Sequence, residues 1–249
     1  QNQALGTAHA VHCASESLKG DVVVAFADTL FYSDFKISQE SDSIIWTKKV
    51  SNPESFGVVI TDNKQQVTDF AEKPEHFVSD RAIIGIYYFK NGDQLQESLQ
   101  KLIDNKKTVK GEYQITDALE DLKEKGTKFK AQDVNKWMDC GNSRAVLDTA
   151  SAVTKHEGHF ISPSSRISQS VIIEPCYIGP EALIENSVIG PFVSLENNAI
   201  IKNTVLSESL IGSGSRIVNS AVSNSVIGSN TQINKNPDRY DLGSYSKIG

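Results

Sequence analysis

Asp28 stands directly behind the apolar run VVVAFA at residues 22–27, and it is the acidic side chain whose position most suggests chemistry. A continuous apolar run bounded by polar residues predicts a buried strand. In layered α/β domains ligands gather beyond the carboxyl ends of strands. A carboxylate there can hold Mg2+, a hard cation that takes oxygen ligands and substrate phosphates; in isolation it reads equally as a turn aspartate. Cys13, Cys140 and Cys176 are odd in number and lack a CxxC spacing. They argue against structural zinc and for a reducing, cytoplasmic compartment. A net charge of −6 argues against nucleic acid or an anionic membrane as the main partner. A small anionic substrate stays open, provided metal and lysine neutralise it locally. The longest apolar runs are far too short to cross a bilayer.

The elements that must position Asp28 alternate in type. The segment TAHAVHCASESLKG (7–20) predicts a helix with Thr7 as N-cap and Gly20 as its stop. FGVVIT (56–61) and RAIIGIYYF (81–89) predict strands. A helix over DQLQESLQKLIDNKK puts Leu95, Leu99, Leu102 and Ile103 on one face. In TDALEDLKEKG, Thr116 is the expected N-cap, Asp117 sits in the first turn, Lys123 and Lys125 in the last, and Gly126 just beyond. SRAVLDTASAVTKH predicts a last helix. This alternation predicts an α/β domain over residues 1–155 with a Rossmann-like, mostly parallel sheet.

A different pattern occupies 156–249. Over 161–233 branched apolar residues recur every five or six positions, in three columns. The first is Ile161, Ile178, Leu195, Ile211, Ile227; the second Ile167, Ile184, Ile201, Ile217, Ile233; the third Ile172, Ile189, Leu206, Val222. Steps of 17 and then 16 residues within a column are the signature of stacked coils. Three columns imply a triangular cross-section, with coils at the ~4.8 Å strand spacing. Four positions after the column members stand mostly small residues, such as Val171, Cys176, Ala182, Val188, Val205 and Ala221, with Leu210 as the exception. A narrow prism needs such a small inward partner on each face. The strands of a β-sandwich would recur at about 8–12 residues instead. The pattern fades in NKNPDRYDLGSYSKIG (234–249), expected as a loop or a strand over the open end. Flat faces of such a prism suit packing between subunits, so a homo-oligomer is expected.

The coil columns resemble the left-handed β-helix of hexapeptide-repeat proteins. The segments QNQALGTAHA (1–10), FADTL (26–30), FAEKP (70–74) and VNKWMDCGN (134–142) resemble the sugar-1-phosphate nucleotidyltransferases. The long glucose-1-phosphate thymidylyltransferases and the bifunctional acetylglucosamine-phosphate uridylyltransferases share this two-part layout. The resemblance implies transfer of a nucleotidyl group from a nucleoside triphosphate, dTTP or UTP favoured, to a sugar 1-phosphate, glucose 1-phosphate as first choice. It implies Gln1, Gly6 and Thr7 at the nucleotide, with Asp28 and Asp139 as catalytic Mg2+ ligands. Gly57, Glu72 and Lys73 are implied at the sugar phosphate, Lys73 also placing the nucleophile. Two departures stand out: Ala27 replaces a common glycine, and Ile83 or Ile84 stands where the family usually has a smaller or polar residue. GEYQITD (111–117) is also family-like and is read as mainly structural.

The family's first strand and Gly-rich phosphate loop have no match before Asp28. The expectation is that the chain starts inside its catalytic domain, and that the intact protein is active while these 249 residues alone hardly turn over. Two rival readings remain. A hexapeptide acyltransferase commonly uses a histidine base, and none of His9, His12, His76, His156 and His159 lies in the coils. A non-catalytic regulatory or scaffold relative has no need of both Asp28 and Asp139.

Overall fold

A computed structural model describes residues 1–33, 37 and 41–235 of the chain. It divides into two compact units, Gln1–Asp139 and Cys140–Gly249. In chain order the first unit holds helix α1 (Thr7–His12), strands β1 (Val22–Ala25), β2 (Thr29–Tyr32), β3 (Ser43–Lys49), β4 (Gly57–Thr61), β5 (Val67–Glu72) and β6 (Arg81–Phe89), helices α2 (Gly92–Asp104) and α3 (Ile115–Glu124), and strands β7 (Phe129–Asp133) and β8 (Lys136–Asp139). The main sheet has the order β5-β4-β6-β3-β7, with β1 also paired to β6, while β2 and β8 form a separate two-stranded ribbon.

Every residue of β6 is buried, because this strand is covered on both faces. Tyr87 and Phe89 lie with Ile45 and Phe129 against Leu95, Leu99, Leu119 and Leu122 of α2 and α3. Ile84, Ile86 and Tyr88 lie on the other face with Ile44, Trp46 and Val134, against which Phe31 and Trp137 of the ribbon pack.

The α/β class holds, but the sheet is mixed where a mostly parallel one was expected. Among the described pairings of this unit only β3–β7 runs parallel, whereas β1–β6, β3–β6, β4–β5 and β4–β6 are antiparallel. Parallel neighbours need a long crossover. Strands β3 to β6 succeed one another without an intervening α-helix, and α2 and α3 together carry the connection from β6 to β7. Strand β1 is also less buried than its apolar run suggests: Val23 is 49% exposed. Val22 and Val24 pack on the helical core while Val23 and Ala25 are exposed, so β1 is covered on one face only.

Both expected threonine caps fall one or two positions off. The N-cap of α1 is Gly6, and the helix stops at His12, followed by a short 3-10 turn at Ser15–Ser17. The N-cap of α3 is Gln114, and Thr116 lies inside the first turn. The hydroxyls have other partners. Thr7 Oγ1 accepts the Ile115 N–H at 3.0 Å, and Thr116 Oγ1 donates to Glu72 Oε2 at 3.0 Å.

The second unit opens with α4 (Ser143–Glu157), capped by Asn142, whose side chain accepts the Ala145 N–H at 3.0 Å. Helix α4 packs on the solenoid strand Ser209–Ile211. Beyond it, short strands from Phe160–Ile161 to Gln232–Asn234 stack into three parallel sheets. Their register reproduces the columns: Ile161, Ile178, Leu195, Ile211 and Ile227 lie opposite one another, as do Ile167 to Ile233 and Ile172 to Val222. The run expected to cover the open end lies outside the described residues beyond Lys235.

The small inward partners differ from expectation on part of the prism. Cys176, Ala182, Val193, Ala199 and Ser215 are fully buried. Val171, Val205 and Val226 are instead 58, 51 and 47% exposed. The inward residues at those corners are Ser187, Thr204, Ser209 and Ser220, none more than 8% exposed. Strand geometry explains this: side chains alternate, so the small partner must sit two residues before the next column member. Four positions after the previous member coincides with this only where the step is six residues. Where it is five, the small partner falls three after, and Leu210 points outward.

Each five-residue step has the same construction. A residue in the left-handed region, at Gln169, Asn186, Asn203, Glu208, Asn219 or Asn224, turns the chain. The following hydroxyl, of Ser170, Ser187, Thr204, Ser209, Ser220 or Ser225, donates to the carbonyl two residues back at 2.7–2.9 Å. Asparagine tolerates this conformation, and serine and threonine favour such local bonds.

Candidate active site

A cavity of about 270 Å³ in the first unit is lined by Thr7, Asp28, Gly57, Glu72, Lys73 and Asp139, six of the eight residues singled out from sequence. Asp139 ends β8, and its backbone lies opposite Thr29 in the ribbon, so the pairing brings Asp28 beside it. Asp28 occupies the turn between β1 and β2, beyond the carboxyl end of β1. Among the described residues no set of three or more His, Cys, Asp or Glu side chains gathers as a ready-made metal site. Two carboxylates opening on one cavity nevertheless fit Mg2+, which is habitually held by one or two carboxylates together with water and substrate phosphate.

On the opposite wall Gly57 and Glu72 face each other at the end of the β4–β5 pair. A Cβ at Gly57 would come within 3.0 Å of Glu72 Oε2 and 3.2 Å of Thr116 Cγ2, so a side chain here would crowd the cradle. Burial pushes the Glu72 carboxyl above its ordinary range, outweighing the Thr116 hydrogen bond and the Lys73 charge, while Asp117 and Glu112 push the same way. Lys73 follows in a turn with φ of 42°, its N–H bonded to the Phe56 carbonyl at 3.1 Å and its side chain exposed. Beneath the site, burial raises the Tyr87 hydroxyl far above the usual range, with the Glu72 charge adding to it.

Gln1 and Gly6 do not line this cavity. The Gln1 amide donates to the Gly6 carbonyl at 3.1 Å and lies 2.9 Å from His9 Nδ1, in a separate concavity shared with Asn2, Leu5 and Cys13. Gly6 has φ of 100°, and a Cβ there would meet the Tyr113 carbonyl oxygen at 2.5 Å, so its glycine is required by close backbone packing.

Several lining residues escaped the sequence reading. Glu112, Gln114 and Thr116 belong to the GEYQITD stretch read as mainly structural, and all three line the cavity. Glu112 and Gln114 stand two apart in the approach to α3, a spacing that puts them on one side of extended chain, and Thr116 follows in the first turn of the helix. Gln114 donates to Glu112 Oε2 at 3.0 Å and accepts from Thr7 at 3.4 Å, tying this wall to α1. Thr29, Phe56 and Trp137 complete the far side, and Ile83 and Ile84 form part of the floor. A larger concavity of about 450 Å³, between Asp42, Lys90, Asn91 and Lys125, contains none of the sequence-derived residues.

The chain is 29% identical to the bifunctional protein GlmU of Clostridioides difficile strain 630, over all of this chain and 59% of that protein. It is 31% identical to GlmU of Methanococcus aeolicus, over 70% of this chain and 41% of the relative. A glucose-1-phosphate thymidylyltransferase of Streptomyces antibioticus is 28% identical over all of this chain and 77% of its own length. The chain thus spans roughly half the length of the GlmU relatives. A crystal structure from Bacillus anthracis bearing the name glucose-1-phosphate thymidylyltransferase, in complex with a sucrose, matches with a TM-score of 0.52 at 22% identity over 65% of each chain, a likeness of fold. The family model for nucleotidyl transferases matches residues 1–156. That match takes in the whole unit that holds the cavity and more than half of the chain, and the chain belongs to the nucleotidyl transferase family.

Proposed function

We propose that the cavity joins a nucleoside triphosphate to a sugar 1-phosphate, giving a nucleotide sugar and pyrophosphate. One observation carries this reading: Asp28 and Asp139, with 110 residues between them, open on one cavity with Gly57, Glu72 and Lys73. Asp28 and Asp139 would hold Mg2+, which when bound supplies charge compensation for the phosphates. An oxygen of the sugar phosphate attacks the α-phosphorus in line, and the bond to pyrophosphate breaks with its electron pair on the leaving oxygen. Lys73 places the attacking phosphate by its point charge. Gly57, lacking a side chain, lets the sugar ring lie against backbone. Glu72, once ionised, accepts hydrogen bonds from sugar hydroxyls. Thr7 lines the cavity on the side given to the nucleotide; the Gln1 amide, bonded to Gly6 and beside His9 outside the cavity, would have to turn in to meet the imide edge of thymine or uracil, the match that favours dTTP or UTP. Catalysis of this kind is positioning plus electrostatics. Glucose 1-phosphate is the first-choice acceptor. The protein acts in the cytoplasm on these small molecules, without nucleic acid or membrane, and the flat solenoid faces hold a homo-oligomer together.

The test is Mg2+-dependent pyrophosphate release by the intact protein from dTTP or UTP with glucose 1-phosphate. Asp28→Asn and Asp139→Asn should each lower turnover by about 10²–10³-fold. Full turnover in both variants overturns the reading.

A further inference from the structure

Asp139 ends strand β8 and Asp28 immediately precedes strand β2, so both candidate metal carboxylates stand at one end of the β2–β8 ribbon, which is paired over four residues and lies apart from the main sheet. A two-stranded ribbon of this length is marginal by itself, and a slip of one residue would turn Asp139 to the opposite face. Backbone pairing alone is therefore a weak guarantee of where the two carboxylates stand. A side-chain hydrogen bond crosses the ribbon at the cavity. Trp137 Nε1–H donates to Thr29 Oγ1 at 2.6 Å, a short bond between the residue after Asp28 and the residue two before Asp139. Thr29 and Phe31 share one face of their strand, as Trp137 and Asp139 do of theirs, so the bond is a diagonal tie between neighbouring pairs. The indole is held in turn by Phe56, edge-on with ring centroids 5.1 Å apart, directly before Gly57. Thr29, Phe56 and Trp137 all line the cavity.

We propose that Thr29 and Trp137 are positioning residues that set the spacing of Asp28 and Asp139, through the indole-to-hydroxyl bond and its support by Phe56. This rests on the metal reading given above. The indole-to-hydroxyl bond crosses the ribbon beside the two carboxylates and is separate from the Thr116–Glu72 bond, so its loss is read in cation binding, while its support Phe56 also adjoins Gly57 and accepts the Lys73 N–H. Thr29→Val keeps the shape and removes the acceptor; Trp137→Phe keeps a ring and removes the donor; Thr29→Ser retains the hydroxyl.

The experiment is direct Mn2+ binding to this chain, followed by the electron paramagnetic resonance of free Mn2+, with thermal unfolding of each variant by circular dichroism. Thr29→Val and Trp137→Phe should each weaken Mn2+ binding about tenfold, the worth of one well-made hydrogen bond. Thr29→Ser should bind like the parent. Parental affinity in both Thr29→Val and Trp137→Phe, with Asp28→Asn weakened, overturns the clamp and leaves the metal reading standing. No Mn2+ binding by the parent chain, or parental affinity in Asp28→Asn, overturns both. Weakening in Thr29→Ser equal to that in Thr29→Val also overturns the clamp, since the hydroxyl would then not be the operative group.

Discussion

Hydroxyl side chains behave differently in the two units. In the solenoid, Ser170, Ser187, Thr204, Ser209, Ser220 and Ser225 each close on a carbonyl two residues away. In the α/β unit three threonine hydroxyls that line the cavity bond across the chain: Thr116 to Glu72 over 44 residues, Thr7 to Gln114 over 107, and Thr29 to Trp137 over 108. A repeating architecture settles its geometry locally and copies the solution coil by coil. A site built from single strands must recruit its partners from distant sequence, and its polar groups are set by tertiary pairing.

The largest expected effect that could break this contrast lies in the prism. Ile184 is fully buried, and Ile184→Ala should destabilise the solenoid by about 3 kcal/mol in denaturant unfolding. Val205→Ala, on the outer side, should stay within about 0.5 kcal/mol. Similar costs for the two would refute the assignment of inward positions. Next comes Ser187, whose hydroxyl donates to the Glu185 carbonyl and accepts the Thr204 N–H. Ser187→Ala should cost about 1.5 kcal/mol, because both buried groups lose a partner.

On the other side of the contrast, Thr116→Val removes the donor to Glu72 and should raise KM for the sugar phosphate about tenfold, with the melting temperature nearly unchanged. A stability loss with unchanged KM would make Thr116 a structural residue only. The smallest effect concerns Asp121 between α2 and α3. Burial opposes its charge, yet hydrogen bonds from Lys101, Lys125 and Ser98 win, and the carboxyl lies well below its ordinary value of 3.8. A depressed folded pKa stabilises fully above the unfolded value and is lost as pH falls beneath it. The parent should therefore lose about 1 kcal/mol more than Asp121→Asn between about pH 4 and pH 2, read by unfolding at stepped pH. Equal slopes would remove this network from the account.

Legibility follows the same divide. The columns from Ile161 to Ile233 could be read directly, because a coil of 16 or 17 residues must return each inward position to the same face. The rule for the small partners failed at Val171, Val188 and Val205 because it counted forward from one column member, whereas strand alternation counts back from the next. In the α/β unit, the helix faces of α2 and α3 were plain from spacing. The mixed sheet was not, since apolar runs do not state which neighbour they pair with. Local context marks Asp28, Glu72, Lys73 and Asp139, and the same kind of context groups Gln1 with them, whereas its amide bonds Gly6 and lies beside His9. Thr7 and Thr116 were expected to cap helices, the commonest local use of threonine before a helix. Their tertiary partners, the Ile115 amide and the Glu72 carboxylate, replaced that use.

What the amino-acid order determined unaided was whatever repeats or alternates: helix faces and the solenoid columns. What only the tertiary structure decided was convergence. The ribbon that sets Thr29 opposite Asp139, the Trp137 bond across it and the Thr116 contact to Glu72 all join residues far apart in the chain. Periodicity constrains neighbours within a few turns or strands. Pairing between distant segments depends on which edges and faces remain once the core is packed, and that is a property of the whole fold.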